Sequence, residues 1–196
     1  MPEEKTGQQI FLSGIGGQGI LFITRLLAET AIHKELPVLT SETHGMAQRG
    51  GTVVSHLKVG CFTSPLIRPG RADGLLLLKA ENLAQHRFYL KPGGWIVMNA
   101  RSLPPAPDTS AGAVLHAAIH HIDADRLAEE TGNPQSVNAI MLGFAAARAS
   151  ASAGTTPALF CSAEDIVAAI HQRFGQREKL LRSALEAFDL GLRHGR

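Results

Sequence analysis

The chain of 196 residues is 44 % hydrophobic and 18 % charged, with a net charge of +2, a composition that folds around a core and excludes a disordered polymer. A balance this close to neutral, with no Lys/Arg cluster, one Trp and one Tyr, lacks the electrostatic footprint and the stacking platforms of a nucleic-acid binder. The longest apolar run, about residues 139–147, is far too short for a membrane span, so neither nucleic acid nor membrane is an expected partner.

Cys61 and Cys161 stand 100 positions apart. Two thiolates cannot hold an iron–sulfur cluster or an all-cysteine zinc site. Both cysteines are expected to be small buried hydrophobes in a reducing compartment. The acidic, polar start is no signal peptide, and the expected location is cytoplasmic. One domain over residues 1–196 fits the length, with C-terminal helices at about 162–192 packed on it.

In chain order, residues 9–13 read as a buried strand that ends at a glycine-rich turn. From Gly19 the period becomes helical, with Ile20, Ile23, Leu27 and Ala31 on one face. Pro37 opens a second strand. These 42 residues therefore read as a β–loop–α–β unit whose two strands are parallel neighbours. A polar, glycine-rich segment, 41–51, follows. Residues 52–59 alternate as a strand does, and 72–78 hold four leucines in a row, expected at the centre of a sheet and buried on both faces. Residues 80–90 are predicted helical, stopped by Lys91-Pro92-Gly93-Gly94, and 95–99 form a strand. Pro104, Pro105 and Pro107 mark a surface loop. Residues 114–122 read as a strand leading into a helix at 124–131, and 137–150 as an apolar, Ala-rich helix. Ser162 is a candidate cap for a helix through Phe174, with Glu164 and Asp165 in its first turn favouring the dipole. A last helix, 177–192, places Leu181, Leu185, Phe188 and Leu192 on a stripe more suited to the core than to a partner. Strands alternating with helices predict an α/β fold: a Rossmann-like, mostly parallel sheet with flanking helices and a helical C-terminal segment.

Gly14, Gly16 and Gly19 match GxGxxG between a strand and a helix, the context that fingerprint requires. Glycine lets backbone approach a ligand, and free N–H groups at a helix start attract an anion. Glu42 falls 23 positions after Gly19, where a dinucleotide fold carries its ribose carboxylate. An NAD or FAD site is one reading. Tight strand–helix packing is a second, and a phosphate or partner contact of another kind is a third. Gly14, Gly16, Gly17, Gln18 and Gly19 are the candidate binding residues here.

The second motif, residues 41–60 (SETHGMAQRGGTVVSHLKVG), does not follow the second strand of a typical dehydrogenase. Together with GIGGQGI, and with RADGLLLL, YLKPGGWIVMN and NPQSVNAIMLG further on, it resembles the gamma-type subunit of the 2-oxoacid:ferredoxin oxidoreductases, most of all the small subunit of their indolepyruvate-oxidising members. The resemblance runs over nearly the whole chain. It implies a subunit with a Rossmann-like fold in an enzyme that decarboxylates a 2-oxoacid oxidatively. Coenzyme A is then the co-substrate and ferredoxin the electron acceptor. Thiamine diphosphate, Mg and the iron–sulfur clusters would sit in a large partner subunit. The chain itself is expected to hold none of them, to be inactive alone, and to form homo-oligomers when isolated.

Ser41, Glu42, Thr43, His44, Gln48 and Arg49 gather polar groups at the end of a parallel strand, the edge where open α/β sheets bind ligands. Arg49 suits a phosphate or carboxylate, and His44 titrates near neutral pH and suits proton transfer. The readings left open are a pocket wall or subunit interface, a substrate or coenzyme contact, and acid–base catalysis. The two glycine-rich loops are expected to form one polar site. His116, His120 and His121 invite a metal reading, weakened because adjacent strand residues point to opposite faces. Asn138, at the start of the Ala-rich helix, is placed to touch the neighbouring loop, to serve as a simple cap or to make a buried hydrogen bond.

Overall fold

The computed structural model describes residues 7–44, 51–103, 117–151 and 159–196. Strands β1 (Gln8–Ile15), β2 (Val38–His44), β3 (Thr52–Val59), β4 (Ala72–Leu77), β5 (Leu90–Asn99) and β6 (Ala118–Ile122) form one sheet in the order β2-β3-β1-β4-β5-β6. The pairs β1/β4, β4/β5 and β5/β6 are parallel, and β2/β3 and β3/β1 are antiparallel. The sheet is therefore mostly parallel, as predicted, with one inverted strand.

That strand changes the first unit. β2 runs in the direction of β1 but is not its neighbour, because β3 lies between them. Its register explains why. Gln8 to Ile15 oppose Val59 to Thr52, and Val38 to His44 oppose Val59 to Val53. β3 thus satisfies hydrogen bonds on both sides along nearly its full length, and the expectation of adjacent β1 and β2 is corrected.

The helices are α1 (Ile20–His33), α2 (Asn82–His86), α3 (Ala124–Glu130), α4 (Val137–Ala151), α5 (Ala163–Phe174) and α6 (Glu178–Gly195). The predicted helix over 80–90 is only α2 followed by a 3-10 turn, Arg87–Tyr89. The predicted break at Lys91–Gly94 belongs to β5, whose pairing with β4 shifts between Ala72 and Gly74. A proline is tolerated at such an irregularity near a strand start. Of the strand expected at 114–122, residues 114–116 lie outside the described residues.

Two cores flank the sheet. Leu12, Leu57, Leu76, Leu78 and Val97 face α1, α3, α4, α5 and α6. Phe11, Leu75, Leu77, Ile96 and Met98 face the other way, against Leu83 of α2 and Ile67 of the β3–β4 connection. The leucine run of β4 is thus buried on both sides, each side chain contributing roughly 1.5–3 kcal/mol. Among the described residues the second face has only α2, the 3-10 turn and one connection as cover.

α5 begins at a capping box. Ser162 Oγ accepts from Asp165 N (3.2 Å), and Asp165 Oδ2 accepts from Ser162 N (2.9 Å). The Asp165 carboxylate also receives Lys34 Nζ at 2.7 Å from the end of α1. α6 packs on α4 so closely that a Cβ at Gly143 would overlap Phe188 O, and one at Gly191 would overlap Ile140 O. Phe188 is fully buried there, and Leu181, Leu185 and Leu192 pack half-buried against the core. Cys161 is buried, whereas Cys61 is exposed. Cys61 lies just past β3 on the surface, which corrects the expectation for that residue.

Candidate functional site

Gly14 and Ile15 still belong to β1, opposite Val53 and Thr52 of β3. The turn that follows needs positive φ at Gly17 (97°) and Gly19 (85°), a region that L side chains enter only with strain. Gly16 N donates to Gly51 O (3.0 Å), and Gln18 N donates to Ile15 O (3.1 Å). The Gln18 side chain turns inward: Oε1 accepts from Ile15 N (2.7 Å), and Nε2 donates to Leu78 O (3.3 Å). Gln18 therefore braces β1 against β4, and two amides of the turn are occupied by the chain itself. Gly17 stands in the open, with no atom within 4 Å of where a Cβ would project. Asn138, at the start of α4, lies against Gly19 so tightly that a Cβ there would overlap its Nδ2. Its Oδ1 accepts from Ala139 N (2.7 Å). Asn138 thus stands against the glycine turn.

The first and second motifs meet, though not as expected. Their junction is the Gly16–Gly51 hydrogen bond at the start of β3. Ser41, Glu42 and Thr43 sit on β2 opposite His56, Ser55 and Val54. Ser41 and Glu42 are half-buried and Thr43 is exposed. Because sheet neighbours are ~4.8 Å apart, Glu42 is about 10 Å of sheet from β1. A dinucleotide fold needs that carboxylate on the strand beside the glycine loop, so the inserted β3 removes the geometric basis for an NAD or FAD site. His44 ends β2, opposite Val53. Gln48 and Arg49 lie outside the described residues.

The hollow beside the glycine turn has a volume of about 300 Å³ and is lined by Ile15, Gly16, Gly17, Gly19, Ile20, Leu21 and Val53. Among the described residues its side chains are apolar; residues 45–50 of the second motif, with Gln48 and Arg49 of the expected polar site, lie outside the described residues. A polar cluster occurs instead one strand over, at the carboxyl ends of β1, β4 and β5. Asn82 Nδ2 donates to Ser13 Oγ (2.9 Å). Asn99 Nδ2 donates to Asp125 Oδ2 (2.9 Å) and Leu78 O (3.4 Å), and its Oδ1 accepts from Ala124 N (2.9 Å). α1 leaves β1 toward one face, and α2 follows β4 toward the other. This is the switch point where open α/β sheets form a ligand crevice, here closed by the chain's own amides. Sequence reasoning missed Asn82 and Asn99. Their signal was an amide placed at, or just beyond, the end of a buried strand.

Of the three histidines, His120 and His121 occupy adjacent positions of β6, opposite Val97 and Met98, and so face opposite sides. Burial lowers the pKa of His120, as does the charge of Arg148. His116 lies outside the described residues. The Cys161 thiol is pushed up to about 12, first by burial and then by the Asp165 charge.

Comparison with known proteins decides the family. The model of the pyruvate ferredoxin/flavodoxin oxidoreductase family matches residues 9–194. The chain belongs to that family. This member of the pyruvate ferredoxin/flavodoxin oxidoreductases is 30 % identical to the indolepyruvate oxidoreductase subunit IorB of Pyrococcus horikoshii, over 94 % of both chains. It is 31 % identical to the IorB of Archaeoglobus fulgidus over 69 % of this chain and 74 % of that one. The fold is similar to the keto/oxoacid ferredoxin oxidoreductase gamma subunit of Geobacter sulfurreducens, with TM-score 0.68 at 23 % identity over 96 % of this chain and 98 % of that chain. It is also similar to a 2-oxoglutarate:ferredoxin oxidoreductase of Magnetococcus marinus, with TM-score 0.75 at 22 % identity. The match covers 98 % of this chain and only 31 % of that enzyme chain. The fold of this family member thus corresponds to one part of that larger chain.

Its residues do not fit an iron–sulfur cluster. Such clusters take thiolates, usually four. This chain has two cysteines, one exposed and one held as a neutral thiol in the core. What the site offers is an apolar hollow, the open Gly17 backbone and a rigidly braced turn.

Proposed function

We propose that the chain is the small, gamma-type subunit of a cytoplasmic 2-oxoacid ferredoxin oxidoreductase whose substrate is indolepyruvate or a related aryl-pyruvate. The observation that carries this reading is the near full-length relation to the archaeal IorB chain. The large partner subunit carries thiamine diphosphate with Mg and the iron–sulfur clusters, coenzyme A takes the acyl group, and ferredoxin takes the electrons. Thiamine diphosphate supplies the group that stabilises the carbanion left by decarboxylation, and no residue of this chain holds it. Alone, the chain associates with itself through the surface that the partner covers.

In this reading the edge of the sheet around Gly16 and Gly17 forms one wall of the composite site. The Ile15–Ile20–Leu21–Val53 hollow excludes water and receives an apolar group, and the Gly17 backbone permits close approach. Glu42, Thr43 and His44 stand two strands away at the same edge, and Arg49 supplies a cation to an anionic group of substrate or coenzyme. The test is steady-state kinetics of the complex reconstituted with its large subunit, with a viologen dye as acceptor. Neither chain turns over alone, and the pair does. Arg49→Ala costs roughly 1.5–3 kcal/mol, a ten- to hundredfold loss in kcat/KM that Arg49→Lys recovers only weakly. Turnover by the isolated chain would refute the division of labour. An Arg49→Ala complex within about twofold of wild type makes that residue structural.

A further inference from the structure

The sheet face opposite the long helices is thinly covered, and the site described above does not use it. β3 directs His56 and Lys58 to that face, since Leu57 and Val59 point into the helical core. His56 Nδ1 accepts from Ile67 N (3.1 Å), which pins the connection 60–71 across the sheet. Gly70 N donates to Phe88 O (2.8 Å), which ties the same connection to the turn after α2.

Lys58 is 7 % exposed, and its ammonium lies 5.0 Å from the centre of the Phe62 ring. No carboxylate among the described residues pairs with it. Burial and the charge of Arg68 both lower its pKa. Residues 60–71 contain two arginines, Arg68 and Arg71, and no acid. On the same connection Leu66 is 52 % exposed, and in the turn after α2 Phe88 is 49 % exposed, its ring tilted against Tyr89 at 4.4 Å. A nearly buried lysine with no carboxylate partner among the described residues is costly, and large apolar groups exposed on the segments that cross the same face mark an interaction surface.

We propose that Lys58, Arg68, Leu66 and Phe88 form a docking surface for an acidic, partly apolar segment of the large partner subunit. Its carboxylate lies between Lys58 and Arg68, and its apolar side chains cover Leu66 and Phe88. Charge complementarity selects this occupant: Lys58 and the connection 60–71 supply cations and apolar area, and residues 60–71 carry no acid to receive a basic partner. The proposal rests on the assembly proposed above and places one of its contacts, at the end of β3 remote from the glycine turn.

Two measurements on the full chain test it. The first uses a labelled amphipathic Glu/Leu peptide and its Gln/Leu counterpart as probes. The Glu form binds at least about tenfold more tightly, and Arg68→Gln and Lys58→Gln each remove most of that difference. The second is affinity for the large subunit. Arg68→Glu weakens it by about tenfold or more and flattens its salt dependence, while Arg126→Glu on α3, on the other side of the sheet, leaves it within about twofold. Equal binding of the two peptides, their displacement by millimolar inorganic phosphate, or wild-type subunit affinity of Arg68→Glu overturns the proposal. If the wild-type chain fails to bind the large subunit at all, the proposed assembly fails. The peptide measurement then still decides whether the surface takes acidic segments.

Discussion

At Gly19 the backbone has φ 85° and its missing side chain makes room for Asn138. Gly19→Ala therefore meets two costs, about 1–2 kcal/mol for left-handed backbone and a further steric term against the amide. The amide is the movable end of a side chain, so Asn138→Ala in the same chain should restore part of the loss and leave the backbone cost. Thermal unfolding of the two single variants and the double variant measures this. Full additivity would show that Gly19 and Asn138 do not press on each other. His56 makes a second prediction at this scale. Burial lowers its pKa from the ordinary 6.5, followed by the Lys58 and His86 charges, and burial lowers His86 as well. A depressed folded-state pKa stabilises the fold fully above the unfolded value, and that contribution fades as pH falls below about 6.5. Tm should decline between about pH 7 and pH 5, before most carboxylates titrate, and decline less in His56→Gln. A flat Tm across that range would contradict a buried neutral imidazole.

At the scale of elements, α5 hangs on its capping box and on Lys34. Ser162→Ala should cost about 1 kcal/mol through the orphaned Asp165 amide. The Asp165 pKa is lowered from 3.8, first by the Lys34 hydrogen bond and then by the Ser162 backbone bond. Being depressed, it stabilises above its unfolded pKa and loses that contribution as pH falls through the lower folded value. The stability gap between wild type and Asp165→Asn should thus be open at pH 6 and close below about pH 4. Chemical denaturation at the two pH values checks it, and a gap that persists in acid would assign the loss to packing. The α4–α6 pair is governed by close approach. In Gly191→Ala the new methyl meets the Ile140 carbonyl, which is backbone and cannot turn aside. The helices must separate, at about 1–3 kcal/mol or more. Hydrogen exchange should report α6 opening before the sheet, whereas uniform protection would mean that the crossing tolerates the methyl.

For the whole molecule, the two faces of the sheet divide the work. The helical face carries the larger core, and the thin face carries Lys58, Leu66 and Phe88. Covering the thin face with the partner should raise stability by mass action, so Tm of the complex should rise with partner concentration. In Arg68→Glu that rise should be smaller although the chain alone unfolds no lower, because the new carboxylate stands near Lys58 in place of a like charge. An equal rise in both would place the partner elsewhere.

The periodicity of residues 20–31, the run of four leucines at 75–78 and Ser162 ahead of two acidic residues settled which segments are helix, strand and cap, because these are local patterns that burial and hydrogen bonding read directly. GIGGQGI with the run after Ser41 pointed to the family in the same way. The sequence could not decide the neighbour of β1, since β2 and β3 alternate alike and only pairing energies over the whole sheet insert β3 between them. Nor could it reveal that Gln18, read as a ligand contact, turns inward to Ile15 and Leu78, that the described side chains lining the hollow beside Gly17 are apolar, or that Asn82 and Asn99 close the switch point. Those facts depend on residues distant in the chain meeting at one sheet edge, where each buried amide takes whatever partner the tertiary packing brings within reach.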